Sequence, residues 1–376
     1  MSSSPKMTPL EKYQHDIKHH GFQFDPKQHR AVQEFNDLYV RLTEFTQTSK
    51  TAPIKGWRSW FNKAEPVTSP KGLYIWGGVG RGKTYLMDSF YDLYPNQRKM
   101  RMHFHRFMHR VHDELKQLEQ QADPLQLVAD KFKSEADVIC FDEFFVSDIT
   151  DAMLLGTLFQ ALFARNIILV ATSNIPPHLL YRNGLQRARF LPAIELIETH
   201  CQVFELDSDN DFRMRTLQQA ELYHYPCDAK AKQNLNRYFE SLSTATAEGA
   251  ETVRCIEVNH RQLDVINAHN GVLMASFTQL CQTARSQNDY IELSHEYHTV
   301  LLSDVPQMNG ANDDAARRFI ALVDEFYERK VCLIITAAVA LTELYAGGRL
   351  EFEFQRCESR LTEMQSSDYL SQEHLA

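Results

Sequence analysis

The run Gly77-Gly78-Val79-Gly80-Arg81-Gly82-Lys83-Thr84-Tyr85 holds the residue types needed to grip a polyphosphate. Its Gly-x4-Gly-Lys-Thr spacing lies between the apolar stretch Leu73-Tyr74-Ile75-Trp76 and a helical pattern through Tyr85-Leu86-Met87. That is the strand–loop–helix setting a phosphate loop requires. Glycines let successive backbone N–H groups turn inward around phosphate oxygens, and the following helix N-terminus adds unpaired amides. On this reading Gly77 to Tyr85 line the nucleotide, Lys83 bridges the β- and γ-phosphates and Thr84 offers its hydroxyl to Mg2+. The cofactors expected are therefore ATP and Mg2+.

A second group completes the chemistry. Val138-Ile139-Cys140-Phe141 reads as a buried strand, and Asp142-Glu143 emerges at its C-terminal end, where parallel sheets bind ligands. Asp142 would hold the metal and Glu143 would polarise the attacking water. Asn174, in Ala171-Thr172-Ser173-Asn174 at the end of the next strand, is the polar side chain placed to orient that water. Arg187 and Arg189 precede a helix or turn opened by Pro192, and either could act from a neighbouring subunit on the γ-phosphate. His105, His109 and His112 have helical spacing beside Phe104, Phe107, Met108 and Val111, so they read as the flank of an apolar helix face rather than as metal ligands.

These residues need a frame. Strands at Leu73–Trp76, Met102–His105, Val138–Phe141, Ile167–Ala171 and Gln202–Leu206 alternate with helical stretches, which predicts a parallel α/β sheet with helices on both faces. Ahead of it, two helices are broken at Gly21 to Phe24, the second starting at Asp25-Pro26 and running to about Phe45 with Val32, Phe35, Leu38, Tyr39 and Leu42 on one stripe. The expected organisation is an N-terminal helical segment and linker over 1–70, a phosphate-loop core over 71–207 and an atypical C-terminal α/β region over 208–376. In that last region Asp314 to Thr336 echoes Asp151 to Thr172, with Ser303-Asp304 standing where the first copy has Asp142-Glu143. A degenerate second α/β unit and a chance likeness of two helix–strand pairs are both open on sequence alone.

With 376 residues and 43% hydrophobic content the chain can build one large domain and a smaller one. The net charge of -9 argues against nucleic acid as a partner unless basic residues gather in one groove. No apolar run of about 18 residues exists to span a membrane, the N-terminus has no secretory pattern, and the seven cysteines are scattered without a Cys-x-x-Cys, as in a reducing cytoplasm. Trp57, Trp60 and Phe61 among Lys55, Arg58 and Lys63, and the Ser241–Thr252 tract, are the places to look for a partner surface.

The run Gly72 to Asp88, with Phe104-His105-Arg106-Phe107-Met108, Phe141 to Ile149 and Asn183-Gly184-Leu185-Gln186-Arg187, resembles the AFG-type ATPases, a branch of the AAA+ proteins. Arg317-Arg318-Phe319, Asp324 to Glu328 and Ser359 to Met364 extend the resemblance over nearly the whole chain. It implies an AAA+ fold that hydrolyses ATP, with Lys83, Thr84, Asp142 and Glu143 at nucleotide and Mg2+, Asn174 as polar sensor and Arg187 as the trans-acting finger of an ATP-dependent homo-oligomer. Arg213 and Arg317 are candidates for a second sensing arginine. The bacterial cell-division branch further implies a cytoplasmic protein, recruited to the division site, that binds the GTPase FtsZ and destabilises its polymers. A nucleic-acid-dependent ATPase or helicase loader, and a nucleotide-gated scaffold, are the alternatives. The segment after Asp207 departs from a plain helical lid, so lid residues do not transfer.

Overall fold

The computed structural model describes residues 7–19, 24–51, 69–78, 80–118, 121–207, 217, 220–243, 253–372 and 374–375. Val79, Arg213, Trp57, Trp60, Phe61, the break at 20–23 and residues 244–252 of the small-residue tract lie outside them. The chain divides into two compact units, Met1–Asn210 and Asp211–Ala376.

In the first unit, β1 (Gly72–Trp76), β2 (Lys99–His103), β3 (Val138–Asp142), β4 (Ile168–Ser173) and β5 (Cys201–Glu205) form one sheet in the order β2-β3-β4-β1-β5, parallel throughout. The central strands are apolar along residues 73–76, 138–141 and 168–171 because both faces are covered, and turn polar only at the C-terminal ends of β3 and β4. Side chains alternate sides along a strand, so β3 sends Ile139 and Phe141 one way and Val138 and Cys140 the other. The first face is closed by α4 (Phe104–Gln117), α5 (Pro124–Glu135), α6 (Ile149–Ala164) and α7 (Leu191–His200), through Phe107, Phe132, Phe159 and Ile194. The Phe107 ring packs, tilted, with its centroid 4.5 Å from that of Phe141 and 4.8 Å from that of Phe132. The opposite face is closed by α2 (Pro26–Thr51) and α3 (Lys83–Leu93), through Val32, Phe35, Leu38, Leu86 and Phe90, with Tyr13 of α1 (Pro9–His19) in the same core.

Beyond shifts of one or two residues at the other strand ends, two element bounds differ from expectation for identifiable reasons. The second helix runs past Phe45 to Thr51, since Thr43 and Thr46 donate their hydroxyls to the carbonyls of Tyr39 and Leu42 and neither Gly nor Pro intervenes. Its start is as read: the amides of Lys27 and Gln28 donate to Asp25 Oδ1 at 2.8 and 3.0 Å. The second strand is Lys99–His103 rather than Met102–His105, because it is the sheet edge. There Lys99 and Arg101 replace the apolar run that marks a central strand, and Phe104 already opens α4.

The second unit is built on a mostly parallel sheet, as expected of an α/β region. Its strands β6 (Tyr223–His224), β9 (Asn267–His269), β10 (Val272–Ser276), β11 (Thr299–Val305) and β12 (Cys332–Ala337) lie in the order β6-β12-β11-β10-β9, with β9 antiparallel. A separate hairpin pairs β7 (Cys255–Val258) with β8 (Arg261–Asp264). Helices α8 (Ala229–Ser243), α9 (Gln287–Glu296), α10 (Asp313–Glu328), α11 (Glu351–Glu363) and α12 (Ser367–Leu370) pack around it, Phe319, Phe326 and Phe354 contributing to the core.

The two sheets share one topology. With α5 set aside in the first unit and β7, β8 and β9 in the second, the path β1–α3–β2–α4–β3–α6–β4 with strand order β2-β3-β4-β1 is repeated by β6–α8–β10–α9–β11–α10–β12 with order β10-β11-β12-β6. The match reaches single bonds. Glu143 takes a left-handed φ of 50° and its amide donates to Thr172 Oγ1 at 3.2 Å. Asp304 takes φ 58° and its amide donates to Thr336 Oγ1 at 3.1 Å. Of the two readings open on sequence, the structure favours the degenerate repeat. What the repeat lacks is the phosphate loop: Tyr225–Asp228 joins β6 to α8 without a glycine, and Asp228 Oδ1 accepts from the Ala231 amide at 2.7 Å, so a carboxylate of the chain already fills that helix end.

Candidate nucleotide site

The site is built where the C-terminal ends of β1, β3 and β4 meet the start of α3. Gly77 passes so close to β5 that a Cβ there would stand 2.2 Å from the Leu206 carbonyl oxygen. Gly82, at φ 85°, turns the loop into α3, and a side chain on it would strike Gln28 Nε2 at 2.6 Å. Gln28 donates that same amide to the Arg81 carbonyl at 2.8 Å, which ties α2 to the loop.

Lys83 is only 8% exposed, and its ammonium directs hydrogen bonds at Gly77 O (2.6 Å), Gly78 O (2.8 Å) and Asn174 Oδ1 (2.9 Å). Asn174, chosen from the sequence as the polar sensor, therefore meets the loop lysine directly. A buried ammonium aimed at neutral oxygens is suited to exchange them for phosphate oxygens, which carry full charge.

Asp142 is 3% exposed. Its Oδ1 accepts from Thr172 Oγ1 at 2.6 Å, from the Glu143 amide at 3.2 Å and from Thr84 Oγ1 at 3.4 Å. Burial works to raise its pKa, but the charge of Arg101 and His103, the Thr172 hydroxyl and Lys83 together hold it below the ordinary carboxylate value. Hydroxyl and carboxylate oxygens facing each other across 3.4 Å are the hard donors Mg2+ takes, with phosphate and water to fill its octahedron, so Thr84 and Asp142 fit that ion. Glu143, next along the chain from Asp142, takes a left-handed φ of 50° and is half-buried.

The structure brings Lys83, Thr84, Asp142, Glu143 and Asn174 into one cluster. Tyr85 enters differently. Its ring is in the core and its hydroxyl donates to Asp16, so it offers a ligand its backbone amide. Arg187 stands outside the cluster, its guanidinium donating to the His178 carbonyl at 2.7 Å, while Arg189 is exposed. They sit on a braced projection. Tyr181, at φ 52°, packs under Gly184 and donates its hydroxyl to the Leu185 carbonyl, and Leu185 at the tip is 70% exposed. His112, one of the helical histidines, pairs with Asp151 Oδ1 at 2.6 Å.

Three residues of the site were not picked out by their sequence pattern. Thr172, two residues before Asn174, has a usable signal in a hydroxyl at the end of an apolar strand. Gln28 and Arg101 carry no local signal, since each reaches the site only through tertiary packing.

Comparison with known proteins adds a family. A model of the family described as AFG1-like ATPase matches residues 7–373. The Escherichia coli K12 cell division protein ZapE is 52% identical over 375 residues, covering 98% of this chain and 99% of that protein. The zebrafish lactation elevated protein 1 homolog B is 37% identical over 392 residues, covering 92% and 78%. AMPPCP-bound DnaA from Aquifex aeolicus, a solved structure, shares 15% identity at a TM-score of 0.35 over 57% of this chain and 55% of that one, a likeness too slight to bear on function.

Proposed function

The chain belongs to the AFG1-like ATPase family, and from that premise we propose that it hydrolyses Mg2+-bound ATP to remodel a protein polymer in bacterial cell division. The observation that supports the chemistry is a pair of contacts at the strand ends, Lys83 with Asn174 Oδ1 at 2.9 Å and Thr84 with Asp142 Oδ1 at 3.4 Å. Lys83 draws the γ-phosphate against the loop amides. Glu143 takes the proton of the attacking water, and Asn174 orients that water between the acidic pair and the lysine. A divalent ion between Thr84 and Asp142 would neutralise charge on the β- and γ-oxygens.

Arg187 acts from one copy on the nucleotide of the next. The braced loop that carries it points to a role in contact with another subunit, because a rigid, exposed tip with an apolar residue beside two arginines is poorly suited to bulk water. Arg187→Ala should lower turnover at least about tenfold with nucleotide affinity kept. Mixing Arg187→Ala chains with Lys83→Ala chains should restore part of the activity, since finger and loop come from different copies. No restoration at any ratio, in steady-state phosphate release, would contradict a finger supplied in trans.

The partner proposed is FtsZ, the division GTPase brought by the resemblance and favoured by the 52% identity to a cell division protein over both full lengths. Sedimentation of FtsZ polymers with this protein tests it. The polymer pellet should shrink when ATP is present and stay unchanged with ADP. A pellet indifferent to ATP would remove FtsZ as the substrate while leaving the ATPase in place. Among the described residues no helix is long and apolar enough to cross a membrane.

A further inference from the structure

Arg101 lies on the edge strand β2, opposite Cys140 in register, and faces α3. Its Nη2 stands 2.7 Å from Asp88 Oδ1 on α3 and 3.2 Å from Asp142 Oδ2 on β3. One guanidinium nitrogen thus sits between two carboxylates whose side chains are 16% and 4% exposed. Asp142 is held at both ends: Oδ1 by Thr172, Glu143 N and Thr84, and Oδ2 by Arg101. The bond to Oδ2 fixes the rotation of the carboxylate whose other oxygen faces the Thr84 hydroxyl.

We propose that Arg101 is a positioning residue for the metal-binding carboxylate, keeping Asp142 aimed at Thr84 by screening it from Asp88. This rests on the reading of Thr84 and Asp142 as the Mg2+ pair. Removing the guanidinium leaves two largely buried like charges facing each other, and their repulsion works against the bonds that hold Asp142 Oδ1 in place. Removing the Asp88 charge as well takes away the repulsion. The two residues are therefore coupled, and the sign of the coupling separates positioning from a plain structural tie between β2 and α3.

The test is the affinity of a fluorescent non-hydrolysable ATP analogue, measured in EDTA and then in Mg2+. In the wild-type chain Mg2+ should tighten binding. In Arg101→Ala the affinity in EDTA should stay within about twofold while the gain from Mg2+ falls about fivefold or more. Arg101→Ala/Asp88→Asn should recover at least about half of that loss on a logarithmic scale. Arg101→Lys, which keeps a cation between the carboxylates, should retain most of the gain, and it carries the test if Arg101→Ala melts at a much lower temperature. An undiminished Mg2+ gain in Arg101→Ala, equal losses with and without Mg2+, or no recovery in the double variant each overturn the proposal. A wild-type chain whose affinity ignores Mg2+ overturns the metal assignment beneath it.

Discussion

Lys83→Ala should weaken ATP binding by about 2–5 kcal/mol, roughly 30-fold or more in Kd, and bring phosphate release to background. The size follows from where the ammonium sits. It is 8% exposed, so little water replaces its bonds to phosphate, and its loss also strips a donor from Gly77 O, Gly78 O and Asn174 Oδ1. Those three oxygens would then face the phosphates with nothing positive between them. Two effects add in the same direction: an attraction is lost and a repulsion is exposed. Isothermal titration with ATP measures the loss of binding, and a phosphate-release assay the loss of turnover. Because the lysine also braces the loop, a thermal melt should accompany both. An unchanged melting temperature with lost binding supports the account, and full binding by Lys83→Ala would refute it.

Glu143→Gln should separate binding from cleavage. Replacing the carboxylate by an amide keeps the shape and the backbone bonds of Glu143 N to Asp142 Oδ1 and Thr172 Oγ1, both at 3.2 Å. It removes the base. Turnover should fall on the order of 10²–10⁴-fold, the usual worth of a positioned general base, with nucleotide affinity nearly unchanged. Such a variant also distinguishes a machine that needs turnover from a scaffold that only needs ATP bound. If Glu143→Gln shrinks the FtsZ pellet as fully as the wild type, hydrolysis does not drive remodelling. If it hydrolyses ATP at the wild-type rate, another group is the base.

Much of the site could be read from the chain before any fold was known, because its residues follow one another along short runs. Lys83 and Thr84 come straight after Gly82, and Asp142 ends an apolar run that only a strand buried on both faces requires. The two central strands β3 and β4 and the helices α6 and α10 were legible for the same reason: their periodicity is local. Legibility stopped where position depends on register. Arg101 reads as an ordinary charge on an edge strand, and only its pairing opposite Cys140 puts it beside Asp142. The stripe of Val32, Phe35, Leu38 and Leu42 announces a buried helix face without saying that β1 and α3 lie beneath it.

The repeat was half visible. The helix–strand echo from Asp314 to Thr336 could be seen, but its opening strand is two residues long and its Tyr225–Asp228 loop has no glycine to mark it. Asp228 in the repeat occupies the Ala231 amide of a helix start with a fixed carboxylate, where the first loop is proposed to take a phosphate.

The account therefore holds that this chain carries two sheets of one topology and a single nucleotide site, in the first of them. Calorimetric titration with a non-hydrolysable ATP analogue in the presence of Mg2+ reads that directly, through stoichiometry. It should give about one nucleotide per chain for the wild type, and no resolvable binding for Lys83→Ala at concentrations that saturate the wild type. A second nucleotide per chain, retained when Lys83 is removed, would contradict it.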